Sequence, residues 1–407
     1  MLTLATTLYA AGVAASATAD HAAMMRLTVD GLIVSQTDDG LFPYGFDFLA
    51  GKPLEPGRMS MSNLIRQAGT ASVLAEYYRQ TRDARLVEPI KRALSAFGRR
   101  SLPIGKSQAQ TWVERTHLLS LPFARWKLRS GLDRFDLLYQ PSGAGKVVSA
   151  SGYRDATAGT TALALLAEIR YASAANDQSF AKLRAAWLEG LLTLRIPGGG
   201  FRETPVSIDD SDYYNGEAWL ALAVYSDLYR EDARTVAELV DLDNALIDRY
   251  SRMPNRNFFH WGAMAAAQRF ATTGNARFLE FLRAQADYFY NGIRAALDPD
   301  TNHCATMEGV AAALGVFNRA GEGEAERARR LRIWLADEAA RLPRLQIQPG
   351  QTGMVLGGDA RLAAPRLIEF PGAFLQGFYK PSTRVDVGQH CLSAMLMIDR
   401  DGLLPQR

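Results

Sequence analysis

Ionisable and hydrogen-bonding side chains recur in this sequence directly ahead of apolar runs. The densest case is DDSDYYNGEAWLAL, Asp209 to Leu222, where three aspartates precede Tyr213, Tyr214 and Glu217. Further starts of the same kind carry Arg66 and Gln67, then Tyr153, Arg154 and Asp155, then Asn257 and His260. His303, Thr306 and Glu308 follow, and finally Asp386, Gln389 and His390. One protonated and one ionised carboxyl group can cleave a glycosidic bond, with retention at a separation of ~5 Å and inversion at ~6.5–9.5 Å. Asp212, Asp155, Glu217 and Glu308 are the candidates in that order, with Asp210 beside the first. Elimination at a uronate would instead need an amide or arginine against the carboxylate and a tyrosine or histidine for the proton. Asn255, Asn257, His260, Tyr213, Tyr214, Arg66 and Arg154 form that set. Paired histidines, drawn from His260, His303 and His390, would serve a 2-epimerisation of an amino sugar.

These groups need elements to hold them. Six segments read as helices buried on every side: NLIRQAGTASVLAEYY, YRDATAGTTALALLAEIRY, YYNGEAWLALAVYSDLY, FHWGAMAAAQRFATTG, CATMEGVAAALGVFNRAG and VDVGQHCLSAMLMI. Each has a glycine near its start, namely Gly69, Gly159, Gly216, Gly262, Gly309 and Gly388. Amphipathic segments with arginine and acid on one side alternate with them, from DHAAMMRLTVDGLIVS to EAERARRLRIWLADEAARL. The shortest glycine spacings set a helical hairpin of about 46 residues, within the range of helical repeats. Longer spacings locate insertions near 101–151, with two expected strands (RFDLLYQ and GKVVSAS) around PSGAG, and near 344–383, rich in Gly and Pro. Six such hairpins predict an all-α fold, an (α/α)6 toroid with a small β-hairpin-like insertion, over residues 20–407 as one domain. An open solenoid would need distinct polar capping repeats and fits less well.

All inner helices of such a ring run the same way, so their first turns surround one cavity. The acids there have a plainer explanation as helix caps, and some at the start of DDSDYYNGEAWLAL are expected to cap. Capping does not explain Arg, His and Trp at the same rim. That rim is also aromatic, with Phe42, Tyr44, Phe46 and Phe48 in GLFPYGFDF, and Trp112, Phe201, Phe258, Phe259 and Trp261 elsewhere. Aromatic faces beside paired polar groups suit a sugar, and Arg66, Gln67, Tyr44, Arg154, Tyr213, Tyr214, Asn257, Trp261, His303 and His390 are the expected substrate contacts. His303-Cys304 and His390-Cys391 invite a metal, but neighbours on a helix point about 100° apart, so no metal or other cofactor is expected. DDSDY departs from a DDxxD diphosphate motif at Tyr213.

The whole-chain numbers narrow the classes. The 407 residues are 48% hydrophobic and 22% charged, a folded composition, and the net charge of +3 gives no footprint for nucleic acid. Two cysteines, Cys304 and Cys391, allow one disulfide or two buried thiols, with the thiols favoured over zinc ligation. No apolar stretch within the body is long enough to span a membrane. Residues 1–19 read either as a signal peptide ending at Ala17-Thr18-Ala19, without the usual basic start, or as an ordinary packed helix. The first reading makes the protein periplasmic or secreted, the second cytoplasmic.

Six hairpins with a polar rim resemble the six-hairpin carbohydrate-active enzymes, among them unsaturated glucuronyl hydrolases, N-acylglucosamine epimerases and toroidal polysaccharide lyases. The resemblance lies in architecture, over about residues 20–400, and implies a carbohydrate substrate. NRNFFHW is similar to an Asn/His/Trp stretch of some alginate lyases, with Phe258 and Phe259 as the departure. The leading expectation is a glycoside hydrolase acting on a poly- or oligosaccharide. A uronate lyase or sugar epimerase follows, and a non-catalytic sugar-binding or polysaccharide-export component is the reading outside catalysis.

Overall fold

A computed structural model describes residues 20–56, 60–106, 139–207 and 209–405. Twelve helices form the body. The even-numbered six are the expected inner helices: α2 (Ser60–Thr81), α4 (Ala158–Ala175), α6 (Asp212–Leu228), α8 (Arg256–Thr273), α10 (Cys304–Ala320) and α12 (Val385–Arg400). The odd-numbered six are outer: α1 (His21–Ser35), α3 (Val87–Arg99), α5 (Ala181–Thr193), α7 (Ala233–Arg252), α9 (Ala276–Tyr288) and α11 (Ala325–Ala339).

Sequence pattern explains the alternation. In α4 the Thr157 hydroxyl caps the start by accepting the Thr160 N–H, and Asn176 closes the end in a left-handed conformation. Between them Ala158 to Ile169 is buried without a break. The outer α3 buries only one face, through Ile90, Ala93, Leu94 and Phe97. Each inner helix packs on the next, and α12 packs back on α2, so the ring closes. The sixth hairpin is shared by the two ends of the chain, because α1 packs on α12. Asp243 of α7 is a buried pin between hairpins: it accepts Trp219 Nε1 at 2.7 Å from α6 and is paired with Arg269 of α8 and Arg277 of α9.

Small sheets decorate the ring. β1 (Gly45–Asp47) lies between β2 (Lys52–Pro53) and β7 (Ser382–Arg384), with Gly45 opposite Arg384. This zipper ties the loop carrying Tyr44 to the start of α12, where the Val385 N–H bonds to the Tyr44 carbonyl at 2.9 Å. In the first insertion β3 (Ser101–Lys106) pairs with β4 (Tyr139–Val148). Here the expectation is corrected: PSGAG is not a turn but lies inside β4, where the register jumps from Gln140 to Gly145 against adjacent residues of β3. Most of RFDLLYQ, and Trp112, lie outside the described residues. The second insertion holds the hairpin of β5 (Gly353–Val355) and β6 (Arg361–Ala363).

Cys304, the first residue of α10, is disulfide-bonded to Cys391 of α12, with Cα atoms 4.7 Å apart and a sequence separation of 87. The thiols are therefore bonded rather than free. No helix among the described residues is long and apolar enough to cross a membrane.

Candidate active site

The starts of the inner helices surround a cavity of about 360 Å³. Its polar lining is Arg66 from α2, Ser211, Tyr213, Tyr214 and Glu217 from the α6 start, Trp261 from α8, and Arg384, Asp386, Gln389 and His390 from β7 and α12. A larger apolar cavity of about 450 Å³ between α1 and the loop 369–374 brings together no comparable cluster of ionisable groups.

Three buried groups cluster next to the polar cavity, and His390 is the one among them that lines it. His390 Nδ1 lies 2.6 Å from Glu308 Oε2 of α10, and the His260 and His390 rings stand 5.4 Å apart at a steep angle. One donor atom from each of His260, Glu308 and His390 lies within 4.8 Å of the others, which is also a ligand set for a divalent ion. The two imidazoles are pushed in opposite directions. Burial holds His260 well below the ordinary histidine value, and His390 adds to the effect. Burial also opposes charge on His390, but Glu308 outweighs it and raises that imidazole above 6.5.

An ionic cluster lines the cavity beside His390. Asp386 takes Arg66 Nε at 3.0 Å and Arg384 Nη2 at 2.8 Å, and Arg66 Nη1 donates to the Tyr44 hydroxyl at 2.7 Å. Burial raises the Asp386 carboxyl, yet the two arginines win and hold it below its usual value. Glu217 is the reverse case: burial alone drives it well above the ordinary carboxylate value, which favours its neutral form. Gly159 makes this place for it, since a Cβ there would fall 1.9 Å from Glu217 Oε2. Gly309 likewise lets α10 approach α8, a Cβ there standing 3.0 Å from the His260 Cα. Glu217 Oε2, His260 Nε2, Trp261 Nε1 and Glu308 Oε1 are all buried without a hydrogen-bond partner, and of these residues Glu217 and Trp261 line the cavity. Such atoms are costly unless something else engages them.

Several expected residues lie elsewhere. Asp212 accepts Arg249 Nη2 at 2.8 Å, the Tyr250 hydroxyl at 2.6 Å and Asn255 Nδ2 at 2.7 Å, so it clamps α6 to the end of α7. Asp210 pairs with the same Arg249 and accepts Asn215 Nδ2 at 3.0 Å. Neither reaches the cavity, and the N-cap of α6 is Ser211, which makes no side-chain cap bond. Asp155 accepts the Ser151 hydroxyl in a surface turn, and Arg154 beside it is exposed. Gln67 is buried and spans the backbone of Phe42 with bonds of 2.8 and 2.9 Å, which fixes the Tyr44 loop. His303 faces Glu338 at 3.1 Å and the Asp298 carbonyl at 2.8 Å, away from His260, and Asn257 is exposed. The aromatics divide similarly: Phe42, Phe46, Phe48, Phe201, Phe258 and Phe259 are core, whereas Tyr213, Tyr214 and Trp261 line the cavity. Arg384 was not among the expected residues, although an arginine two places ahead of Asp386 was the signal for it.

No protein-family model and no curated protein sequence matches the chain. Solved structures do. The chain is similar to a D-mannose isomerase at 13% identity, over 95% of this chain and 99% of that one, with a TM-score of 0.57. It is similar to an inactive variant of an alpha-1,6-mannanase of Salegentibacter sp. HEL1_6 in complex with alpha-1,6-mannotetrose, at 12% identity over 95% and 100% of the two chains, TM-score 0.55. A cellobiose 2-epimerase from Spirochaeta thermophila matches at 14% identity over 98% and 99%, TM-score 0.50. At such identities the likeness is one of fold: the chain has the (α/α)6 toroid of carbohydrate-active enzymes.

Proposed function

We propose that this chain is a carbohydrate-active enzyme that moves a proton at C2 of a reducing sugar, as a 2-epimerase or aldose–ketose isomerase. The observation that carries the reading is the pair of buried imidazoles on facing inner helices, 5.4 Å apart and with opposite proton preferences. A carbon acid beside a carbonyl needs one group to take a proton and another to give one. Neutral His260 removes the C2 proton of the open-chain aldose, and the freed electron pair forms the C1–C2 double bond while the carbonyl electrons move to O1. The cationic Arg66 and Arg384 face the resulting enediolate oxygens, and neutral Glu217 can donate to one of them. His390, whose Nδ1 is held by Glu308, returns a proton through Nε2: to the opposite face of C2 for epimerisation, as the C1 carbonyl re-forms, or to C1 for isomerisation, in which case Glu217 gives its proton to O1 and takes the O2 proton as the C2 carbonyl forms.

The test is exchange in D2O, followed by NMR, with mannose, glucose, N-acetylglucosamine and cellobiose. Deuterium should enter C2 of at least one sugar, and His260→Asn or His390→Asn should lower the rate about 10²–10⁴-fold. Hydrolysis is the second reading, because Glu217, whose burial favours the protonated form, and Asp386, held below its usual value, line the same cavity. New reducing ends from a polysaccharide, with no C2 exchange on any sugar, would replace the first reading by the second. The Cys304–Cys391 bond favours an oxidising compartment, periplasmic or secreted.

A further inference from the structure

At the opposite end of the ring the inner helices present their C-terminal turns around a second cavity, of about 270 Å³. That is just below the ~300–1,000 Å³ range of drug-sized pockets, so it suits a small ligand. Four arginines line it, Arg79 of α2, Arg170 of α4, Arg319 of α10 and Arg400 of α12, against two acids, Glu76 and Asp401. Both acids are oversubscribed. Glu76 takes Arg79 through both oxygens at 3.0 and 2.6 Å and Gln80 at 2.9 Å, and it faces Arg170 at 3.4 Å and Arg400 at 3.8 Å. Asp401 takes Arg400 at 3.0 and 2.7 Å, with Arg319 at 3.8 Å.

Helix C-termini attract cations, but that pull fades within the last turn. It accounts for Arg79, Arg319 and Arg400, which stand there. Arg170 stands more than a turn inside α4, with its side chain 18% exposed. Its Nη1 bonds to the Ser72 hydroxyl at 2.8 Å, while its Nη2 makes no hydrogen bond, and Arg319 makes none at all among the described residues. A recessed guanidinium with unused donors calls for another acceptor.

We propose that this far-rim cavity is a binding site for an oxyanion of the phosphate class, separate from the sugar site at the other rim. Arginine donors on Arg170 and Arg319 would take the oxygens, and the floor of Leu220, Met264 and Leu396 would accommodate an attached organic body.

The experiment is calorimetric titration and thermal denaturation with sodium phosphate, against sodium chloride at matched ionic strength. A parallel arm uses glucose 6-phosphate. Saturable phosphate binding with a raised Tm is expected in the wild type. Tighter binding of the sugar phosphate would identify a phosphorylated metabolite as the ligand, and equal binding would identify free phosphate. Arg319→Gln, at an exposed residue without hydrogen bonds, should weaken binding about tenfold, and Arg319→Gln/Arg400→Gln should weaken it further. His260→Asn should bind phosphate as the wild type does. The proposal is overturned if the response follows ionic strength alone, persists unchanged in both arginine variants, or disappears with His260→Asn.

Discussion

Two imidazoles this close share one electrostatic fate, since a charge on either discourages a charge on the other. The proposed chemistry requires His260 neutral and His390 charged. Activity at C2 should therefore follow a bell in pH, with an acid limb below 6.5 as His260 gains a proton and an alkaline limb above 6.5 as His390 loses one. Glu308→Gln removes the attraction that raises His390, so the alkaline limb of kcat/KM should move toward acid and the bell should narrow. Stability has a matching sign. His390 is raised in the folded state, so its contribution is full below about 6.5, the unfolded value, and fades as pH climbs through the folded one. Melting curves of Glu308→Gln should lack that alkaline decline. Added Zn2+ should inhibit by taking the His260, Glu308 and His390 donors, more strongly as pH rises, with EDTA restoring turnover. Turnover that disappears after EDTA and returns with zinc would turn the trio into a metal site. Both histidines were legible as rim residues, but the Glu308–His390 bond crosses 82 residues of sequence and no local pattern announces it.

At the scale of one helix, the decisive variable is rotation about the axis. Position along a helix can be read from capping and periodicity, and the starts of all six inner helices were legible that way. The direction of each side chain turns about 100° per residue, which places Asp212 and Glu217 at one helix start on different errands. Tyr213 and Glu217, four apart, face the lumen together, as do Asp386 and His390. Asp212→Ala should accordingly cost stability, about 1–2 kcal/mol, because it takes the acceptor from the Tyr250 hydroxyl and the Asn255 amide and leaves Arg249 to Asp210 alone. Its C2 exchange rate should stay within about tenfold of wild type. A variant that melts normally yet exchanges nothing would return Asp212 to the chemistry. Gly159→Ala tests the lumen side, since the added methyl occupies the space of Glu217 Oε2. Here turnover should fall, by a measured drop in kcat larger than any change in Tm. The misread strand has a different cause: Pro and Gly in PSGAG are turn formers, yet a bulge in a paired strand uses the same residues.

For the molecule as a whole, closure is the central fact. The repeat spacing predicted a ring, and the contact of α12 with α2, the β1–β7 zipper and the Cys304–Cys391 bond supply the closure. Only the two cysteines of that set stood out in the sequence, because zipper strands of three residues carry no readable pattern. The disulfide closes a loop of 87 residues, so replacing both cysteines by alanine should lower stability by about 4 kcal/mol in the chain-entropy picture. Denaturant melts of the double variant, compared with wild type in dithiothreitol, would measure it. The zipper strand, the paired arginine and aspartate, His390 and Cys391 all fall between Ser382 and Cys391. A ribosome delivers that stretch after five of the six inner helices have been made. A chain that stops short of that stretch lacks both the helix that closes the ring and His390, so under the proposed chemistry C2 exchange should appear only once the sixth inner helix is made.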